Sequence, residues 1–195
     1  GNKILDLGCG TGYMSCMLAK KGYDMTAIDL SSERLSLFRE KANELKIKVK
    51  NINLFEFNET DFDLVICQEV IEHLHDYTKL IDKIYSFLKY GGYANITTPY
   101  KENLEAKTIK CDICGEFYHT SGHLHSFDEQ KLQSAFPKEM FEIVLIKKIV
   151  NNRAIKLFNF YNLPVNKILV NIDKLFNKLF DYKAAYLVIL VRKIK

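Results

Sequence analysis

The chain has 195 residues, of which 48% are apolar and 27% charged, a balance that fits one folded domain and excludes a disordered or fibrous segment. No apolar run reaches the ~20 residues that a transmembrane helix needs, so no membrane span is predicted. The net charge of +4 is unevenly placed, because the residues from Asn151 onward carry nine Lys or Arg against two Asp.

Short β-branched segments alternate with helical patterns along the chain. Strands are predicted at Lys3–Leu7, Asp24–Ile28, Ile47–Ile52, Phe62–Cys67, Tyr93–Thr97, Met140–Val150 and Ala184–Val191. Helices are predicted at Tyr13–Lys21, Ser32–Leu45, His75–Tyr90, Asp128–Phe136 and Val165–Phe180. This alternation predicts an α/β fold with a doubly wound, mostly parallel sheet of seven strands in a single domain over residues 1–195. Because Gly1 lies almost inside the first strand, we expect the natural N-terminus to be truncated.

Three glycines separate the first strand from the first helix in the segment "ILDLGCGTG". Gly8, Gly10 and Gly12 allow a tight turn and let a ligand approach the main chain closely. The helix that follows offers free N–H groups and a positive dipole end. The pattern alone is weak, since phosphate and dinucleotide sites also use glycine turns, and a purely structural turn is the alternative.

Two acidic residues flank this turn. Asp29, at the end of the second strand, can accept both hydroxyls of a ribose, as acidic residues do in nucleotide sites on such sheets, or can be a solvated turn residue. Asp6 is expected to point from the first strand toward the same crevice, where it could receive a ligand ammonium group. Because two carboxylates do not suit a pyrophosphate, the sequence predicts a zwitterionic, ribose-bearing ligand.

A cluster of ionisable residues follows the fourth strand in the segment "EVIEHLHD". The cluster lies at the sheet edge where open α/β folds bind ligands. On a helical path, Glu69, Glu72 and His73 would share one face. Either a substrate-side role or a structural hydrogen bond to a loop is consistent with this pattern.

The segment "CDICGEFYHTSGHLHSF" packs two cysteines and three histidines together. Cys111, Cys114, His119 and His123 have the spacing of a compact zinc knuckle, because Cys and His are tetrahedral zinc ligands. The alternatives are a metal-free lid and a split role in which His123 or His125 serves the substrate site while Cys111 and Cys114 bind metal with other partners. In each case the segment follows the fifth strand, so residues 100–126 are predicted to be a lid or zinc-knuckle insertion at the ligand edge.

The basic tail includes a second insertion, predicted to be helical over residues 152–183. Its helix at Val165–Phe180 has an apolar stripe together with three lysines. The stripe is interpreted as a core-facing surface, with a substrate lid, a membrane-surface helix and a nucleic-acid contact as alternatives. The odd number of cysteines favours reduced thiols and a cytoplasmic location over a disulfide framework. The sequence makes no prediction of the oligomeric state.

The segments "ILDLGCGTGYMS", "AIDLS" and "FDLVICQEVIEHLHD", in this order and spacing, resemble the Rossmann-like S-adenosylmethionine-dependent methyltransferases. The resemblance covers Lys3 to about Val150 and implies that the last strand is the antiparallel closing strand of that fold. It implies that S-adenosylmethionine is bound, with the methionine part held by Asp6, Gly8, Cys9, Gly10 and Gly12. The ribose would then lie on Asp29 beside Leu30, the adenine beside Asn53 and Leu54, and Gln68 near the cofactor. The family often has Asp where Asn53 stands.

Similarity to two subfamilies implies specific functions for the cluster of Glu69, Glu72 and His73. Ubiquinone-pathway O-methyltransferases, which act on small molecules, show a similar Glu-x-x-Glu-His. RNA 3′-terminal ribose 2′-O-methyltransferases add a later His-x-His-x-Phe, and this similarity implies Mg²⁺ or Mn²⁺ on Glu69, Glu72, His73 and His125. The sequence therefore favours methyl transfer to oxygen or nitrogen of a small molecule, with that RNA activity and a catalytically silent cofactor-binding module as alternatives.

Overall fold

The computed structural model describes residues 1–151, 167–180 and 183–195. Its strands are β1 (Lys3–Leu7), β2 (Asp24–Asp29), β3 (Lys48–Asn51), β4 (Phe62–Gln68), β5 (Leu88–Pro99), β6 (Thr108–Lys110), β7 (Phe117–His119), β8 (Phe141–Asn151) and β9 (Ala184–Lys193). Seven of them form one sheet in the order β3-β2-β1-β4-β5-β9-β8, in which the first five are parallel. Strand β9 is antiparallel to both of its neighbours. The predicted seven-stranded α/β sheet with an antiparallel last strand is therefore confirmed.

Five α-helices are described, and they cover both faces of the sheet. They are α1 (Tyr13–Ala19), α2 (Ser32–Glu44), α3 (Tyr77–Phe87), α4 (Glu129–Ser134) and α5 (Lys167–Leu179). Side chains that accept backbone N–H groups fix where three of them begin: Ser31 accepts from Arg34, Asp76 from Thr78 and Asp128 from Lys131.

The core has two parts because successive side chains of a strand point to opposite faces of the sheet. On β1, Leu5 and Leu7 pack on the face that carries α3 and α4, whereas Ile4 packs on the face that carries α1 and α2. Asp6 shares the face of Ile4 and is therefore carried toward α1 rather than into open solvent.

The end of α3 corrects a predicted boundary. A helix was expected at His75–Tyr90, followed by a strand at Tyr93–Thr97, but α3 ends at Phe87 and β5 begins at Leu88. Leu88 pairs with Phe62 before the ladder shifts register, so the strand starts earlier than its hydrophobic run suggests.

The segment between β5 and α4 extends out from the end of β5, and its two ends lie next to each other. At its base Tyr100 and Phe127 form a bridge, and the Lys101 N–H donates to the Phe127 carbonyl over 2.8 Å. Within it, β6 and β7 form a two-stranded hairpin that the sequence did not predict. The Leu124 and His125 N–H groups donate to the Glu72 carbonyl, which holds this segment against the turn after β4. We call residues 101–126 the lid.

Helix α5 lies against β8, with the Val150 N–H donating to Asp173 Oδ2 over 3.2 Å. Leu175 and Leu179 of the predicted apolar stripe are exposed, so the core-facing interpretation of the tail helix stays a prediction. The predicted start of the helix, at Val165 and Asn166, and most of the predicted insertion at 152–183 lie outside the described residues. None of the helices within the described ranges has the length and apolarity needed to span a membrane.

Candidate active site

A crevice of about 480 Å³ opens at the carboxyl ends of β1, β2 and β4. Its lining includes five of the predicted cofactor residues, namely Gly8, Asp29, Leu30, Asn53 and Leu54. Glu69 and His73 from the predicted substrate side also line it. The other predicted cofactor residues (Asp6, Cys9, Gly10, Gly12 and Gln68) are not part of the lining in the described structure. The structure thus brings about half of the predicted cofactor set to one cavity.

Two glycines of the glycine loop have different surroundings: Gly12 is closely packed, whereas Gly10 borders open space. Gly12 has φ 72°, and a Cβ added there would meet the Phe38 ring at 2.3 Å, so any other residue is both strained and crowded. Gly10 has φ 54°, and nothing lies within 4 Å of the place where its Cβ would be. Gly12 is therefore required by packing against α2, whereas the space beside Gly10 is free.

The Asp29 carboxylate joins the glycine loop to the start of α2. Its Oδ2 accepts from the Gly10 N–H over 2.7 Å and its Oδ1 accepts from the Ser31 N–H over 2.8 Å. The Asn51 amide braces this turn by donating to the Asp29 and Leu30 carbonyls. Because a carboxylate has about four acceptor positions, two remain for ligand hydroxyls after the two backbone bonds.

Asp6 lies behind the glycine loop and is 3% exposed. The Ser15 hydroxyl donates to its Oδ2 over 2.5 Å. Burial raises the pKa of Asp6 to about 6, and the hydrogen bond from Ser15 opposes that rise. Its predicted contact with a ligand ammonium group stays a prediction, since the carboxylate is engaged with α1.

The raised pKa of Asp6 makes the stability of the protein pH-dependent. The fold favours the protonated acid, so its unfavourable contribution is absent below pH ~4 and grows as the pH rises toward 6. We expect Asp6→Asn to stabilise the ligand-free protein at pH 7.5, by up to about 3 kcal/mol, and to flatten the change in stability between pH 4 and 6.5. Urea denaturation at several pH values measures this; Asp24→Asn, an exposed residue of β2, is the control. Equal slopes for wild type and Asp6→Asn would refute the assignment.

Asn53 and Leu54 lie in the turn after β3, on the far side of the crevice from the glycine loop. Asn53 Oδ1 accepts from the Phe55 N–H over 3.0 Å, which leaves the Nδ2 group of this amide to donate to a ligand. Leu30 is 72% exposed at the mouth of the crevice. These residues offer one amide donor and an apolar wall, as an adenine ring requires.

Glu69 does not lie on a helix, contrary to the predicted shared helical face. Its φ of 53° places it in the left-handed region, which is uncommon for a residue other than glycine and is often found at functional sites. Its Oε1 accepts from the Thr97 hydroxyl over 2.8 Å. Burial raises the pKa of Glu69, and the hydrogen bond from Thr97 opposes the rise.

A second, smaller cavity of about 240 Å³ lies on the other side of Glu69. Gln68 and Thr97 line it together with Ile149 and Tyr186. Gln68 thus faces this cavity rather than the crevice. Glu69 lines both cavities and therefore lies at their junction. A substrate that occupied both cavities would contact its carboxylate.

Glu72 is fully buried in the 3₁₀ turn Ile71–His73. Neither of its carboxylate oxygens has a hydrogen-bond partner in the part of the chain that the structure describes. Burial, with a smaller contribution from the charge of Glu69, raises the pKa of Glu72 to about 8. A buried carboxyl without partners needs either a proton or a cation.

Two histidines face Glu72 and have one ring nitrogen fixed. The His73 Nδ1 donates to the Gly122 carbonyl over 3.2 Å, and the His123 Nδ1 donates to Glu102 Oε2. The two rings meet edge to face with centroids 4.7 Å apart. Burial lowers the pKa of His73, so its Nε2 is an available acceptor at neutral pH.

Glu102 lies in the lid with a side chain that is only 5% exposed. Burial alone would raise its pKa, but the hydrogen bonds from Lys107 and His123 lower the pKa of Glu102 below its usual value. The Lys107 Nζ donates to its Oε1 over 2.5 Å. An ionised Glu102 therefore fixes the orientation of His123. No sequence pattern pointed to it, because its partners lie 5 and 21 residues away.

In His119 the Nδ1 atom accepts hydrogen bonds, whereas in His73 and His123 it donates one. Its Nδ1 accepts from the Ser121 and His123 N–H groups, both over 3.2 Å, so its proton is on Nε2. That Nε2 is buried without a hydrogen-bond partner among the described residues, 3.9 Å from Glu102 Oε1. A ring nitrogen that carries a proton cannot be a metal ligand.

The His125 ring is not grouped with the Glu72 carboxyl and the His73 ring, although its backbone N–H donates to the Glu72 carbonyl. Its Nε2 donates to the Leu74 carbonyl over 2.9 Å, and its ring packs edge-on against Tyr77. Of the two lid histidines that the sequence left as candidates for the substrate side, the structure places His123, not His125, beside His73.

The four residues predicted to form a zinc knuckle are not brought together. Cys111 and Cys114 lie in the turn of the hairpin, whereas His119 pairs with Thr108 at its base. At ~3.3 Å per residue, that register separates the thiols from His119 by roughly 10 Å. Over the described ranges, neither of the two groups of three or more metal-binding side chains contains a cysteine. The compact four-residue knuckle does not fit this geometry.

Comparison with known proteins identifies the family to which this fold and crevice belong. Residues 1–146 match the family described as a methyltransferase domain, which is most of the chain. The chain belongs to the methyltransferase domain family. The resemblance inferred from the glycine loop and the two segments after it is therefore confirmed.

Curated relatives of this methyltransferase domain have a named activity. Ubiquinone biosynthesis O-methyltransferase of Psychrobacter cryohalolentis is 35% identical over 105 residues, which is 50% of this chain and 41% of that protein. That of Rickettsia typhi is 37% identical over 100 residues, 49% of this chain and 40% of that protein. The chain thus spans less than half the length of these relatives.

Solved structures support the fold alone. An S-adenosylmethionine-dependent methyltransferase from Methanosarcina mazei matches with a TM-score of 0.68 at 23% identity, covering 98% of this chain and 92% of that one. At this identity the match shows the shared methyltransferase fold and no more.

Proposed function

We propose that this methyltransferase domain transfers a methyl group from S-adenosylmethionine to an oxygen or nitrogen atom of a small molecule. The crevice at the carboxyl ends of β1, β2 and β4 carries this proposal. One side offers the Asp29 carboxylate and the open space beside Gly10, and the other offers Asn53 and Leu54. The named activity of the curated relatives supports an O-methyltransferase in particular.

The charges in the crevice fit a ribose better than a pyrophosphate. In a dinucleotide site the glycine-loop N–H groups meet phosphate oxygens. Here the Gly10 N–H is already bonded to Asp29, so a phosphate at that place would meet a carboxylate. A ribose hydroxyl instead donates to the acceptor positions that remain on Asp29. The residues present therefore fit S-adenosylmethionine.

Each part of the crevice has a role in this reaction. Bound S-adenosylmethionine would supply a sulfonium methyl group that a nucleophile attacks directly. Asp29 would accept the ribose hydroxyls, and Asn53 with Leu54 would hold the adenine. His73, fixed by the Gly122 carbonyl, would accept a proton from the methyl acceptor through Nε2. Glu69 would orient the acceptor at the junction of the two cavities.

A transfer screen tests the proposed function. The purified chain is incubated with S-adenosylmethionine carrying a tritiated methyl group and with either metabolite or RNA pools from cells. We expect label in a small-molecule fraction. Binding of the cofactor with no label in either pool would favour a catalytically silent module, and absent binding would refute the cofactor assignment as well.

One observation favours a second candidate, metal-dependent methylation of the terminal ribose 2′-hydroxyl of RNA. Potential ligand atoms of Glu72, His73 and His123 lie within 4.8 Å of one another, around the carboxylate that has no partner. Carbonyl and carboxylate groups fix the second nitrogen of both histidines, as is usual for metal ligands. Mg²⁺ or Mn²⁺ at this group would lower the pKa of a substrate hydroxyl. The other group, Glu102 with His119 and His123, is less suitable because His119 Nε2 carries a proton.

The second candidate makes a prediction about Glu72. We expect Glu72→Gln, which keeps the shape of the side chain, to abolish Mn²⁺ binding measured by electron paramagnetic resonance and to lower transfer to RNA at least about 100-fold. Glu105→Gln, in an exposed part of the lid, is the control. Undiminished RNA methylation by wild type in the presence of a chelator would exclude the metal-dependent candidate and leave the first one standing.

Several expectations stay predictions at this point. They are the division into one domain with two insertions, the cytoplasmic location, and contacts of the basic tail with a membrane surface or nucleic acid.

A further inference from the structure

The turn of the lid hairpin holds two thiols next to each other at an exposed tip. The Cys111 N–H donates to the Glu116 carbonyl and the Gly115 N–H donates to the Cys111 carbonyl, so the turn is closed at both ends. Cys111 is partly exposed, Cys114 is exposed, and neither forms a disulfide. Two accessible, reduced thiols in a Cys-x-x-Cys turn are a common pair of zinc ligands.

Two thiols are half of a tetrahedral zinc site, and among the described residues no third His, Cys, Asp or Glu ligand atom forms a cluster with them. Four of the five histidines, His73, His119, His123 and His125, are hydrogen-bonded within the body or at the base of the lid, and His75 lies in the body just before α3. Cys67 is buried in the sheet, and Cys9 and Cys16 lie at the glycine loop and on α1. Residues 152–166 contain no Cys, His, Asp or Glu, and Asp181 is the only such residue among 181 and 182. A four-thiolate site therefore takes its other two ligands from outside this chain.

A second copy of the hairpin supplies two such ligands with the same geometry. Four large apolar side chains around the thiols are exposed: Ile109 44%, Ile113 97%, Phe117 71% and Tyr118 50%. Two hairpins that meet at their tips would remove part of this surface from water. The hairpin also carries both signs of charge, with Lys110 beside Asp112 and Glu116, so a twofold arrangement can place opposite charges across the contact.

We propose that one Zn²⁺ links two copies of this chain, each of which contributes the Sγ atoms of Cys111 and Cys114 to a tetrahedral four-thiolate site. Four zinc–sulfur bonds form as the four thiol protons pass to the buffer, with no change in oxidation state. The lid of one chain is thereby tied to the lid of its partner through two cysteines that do not line the crevice. This inference does not depend on the proposed function.

Zinc content and mass in solution test the proposal together. With zinc present, we expect 0.5 Zn²⁺ per chain by elemental analysis and a particle of twice the 22.7 kDa chain mass by light scattering. A chelator should remove the zinc and return the monomer. Co²⁺ in place of zinc should give the intense visible bands of a tetrahedral four-thiolate site.

Cysteine variants distinguish a zinc-linked dimer from a dimer held by apolar contact alone. We expect Cys111→Ser and Cys114→Ser to lose both zinc and the dimer while keeping wild-type circular dichroism, because the turn is exposed; Cys16→Ser is the matched control and should keep both. One zinc per monomer, a dimer that persists in Cys111→Ser, or a Cys111–Cys114 disulfide in the reduced, zinc-supplemented protein would each overturn the proposal. Loss of S-adenosylmethionine binding would not accompany any of these results, so they are distinct from failure of the proposed function.

Discussion

Asp29→Ala is expected to weaken S-adenosylmethionine binding at least about 100-fold. The carboxylate offers two acceptor positions to the ribose, and hydrogen bonds to a charged group contribute about 1.5–3 kcal/mol each. Each 1.4 kcal/mol corresponds to a tenfold change in affinity. The variant also releases the Gly10 and Ser31 N–H groups, which loosens the glycine loop. Isothermal titration calorimetry of both proteins measures the change.

Two further variants separate ribose binding from loop structure. Asp29→Asn keeps one carbonyl acceptor and should retain an intermediate affinity. Asp24→Ala changes an exposed carboxylate at the opposite end of the same strand and should bind like wild type. An affinity for Asp29→Ala within about threefold of wild type would mean that the ribose does not lie on this residue.

His73→Ala is expected to lower the rate of methyl transfer at least about 100-fold while changing cofactor affinity only a few-fold. His73 lines the crevice, and the Gly122 carbonyl fixes its Nδ1 as a donor, so Nε2 is the nitrogen left to accept a proton or to bind a cation. Both candidate functions need this nitrogen. Single-turnover kinetics with saturating cofactor give the rate.

The neighbouring histidines provide the matched comparison. His75→Ala removes an exposed side chain two residues away and should leave the rate unchanged. His123→Ala should lower it, since this ring packs against His73, whereas His125→Ala should have the smaller effect. If His125→Ala were the more damaging of the two, the ring placed beside His73 would have been assigned wrongly. Wild-type rates in His73→Ala would remove it from both mechanisms.

The fold could be predicted because the patterns that mark its strands and helix starts lie within short stretches of the sequence. Each central strand is a short apolar run bounded by turn residues, and β1 was located at its observed bounds, Lys3–Leu7. Side-chain caps such as Ser31 mark helix starts in the sequence itself. The glycine loop was recognisable because its φ values need residues without a Cβ.

The chemistry around Glu72 could not be read in the same way. Helical spacing suggested one face for Glu69, Glu72 and His73, but Glu69 turns back to bond Thr97 and only a 3₁₀ turn follows. Glu102 acquires its role from His123, far along the chain, and leaves no periodic pattern. The spacing of the cysteines and histidines suggested one knuckle, whereas strand pairing in the hairpin moves His119 away from the thiols. Long-range contacts decide these points.

The most direct test of the central claim is a crystal structure of the chain with S-adenosylhomocysteine. We expect one molecule in the crevice, with its ribose hydroxyls on Asp29 and its adenine between Asn53 and Leu54. Electron density elsewhere, or a crevice that takes up a dinucleotide from the same solution in its place, would contradict it.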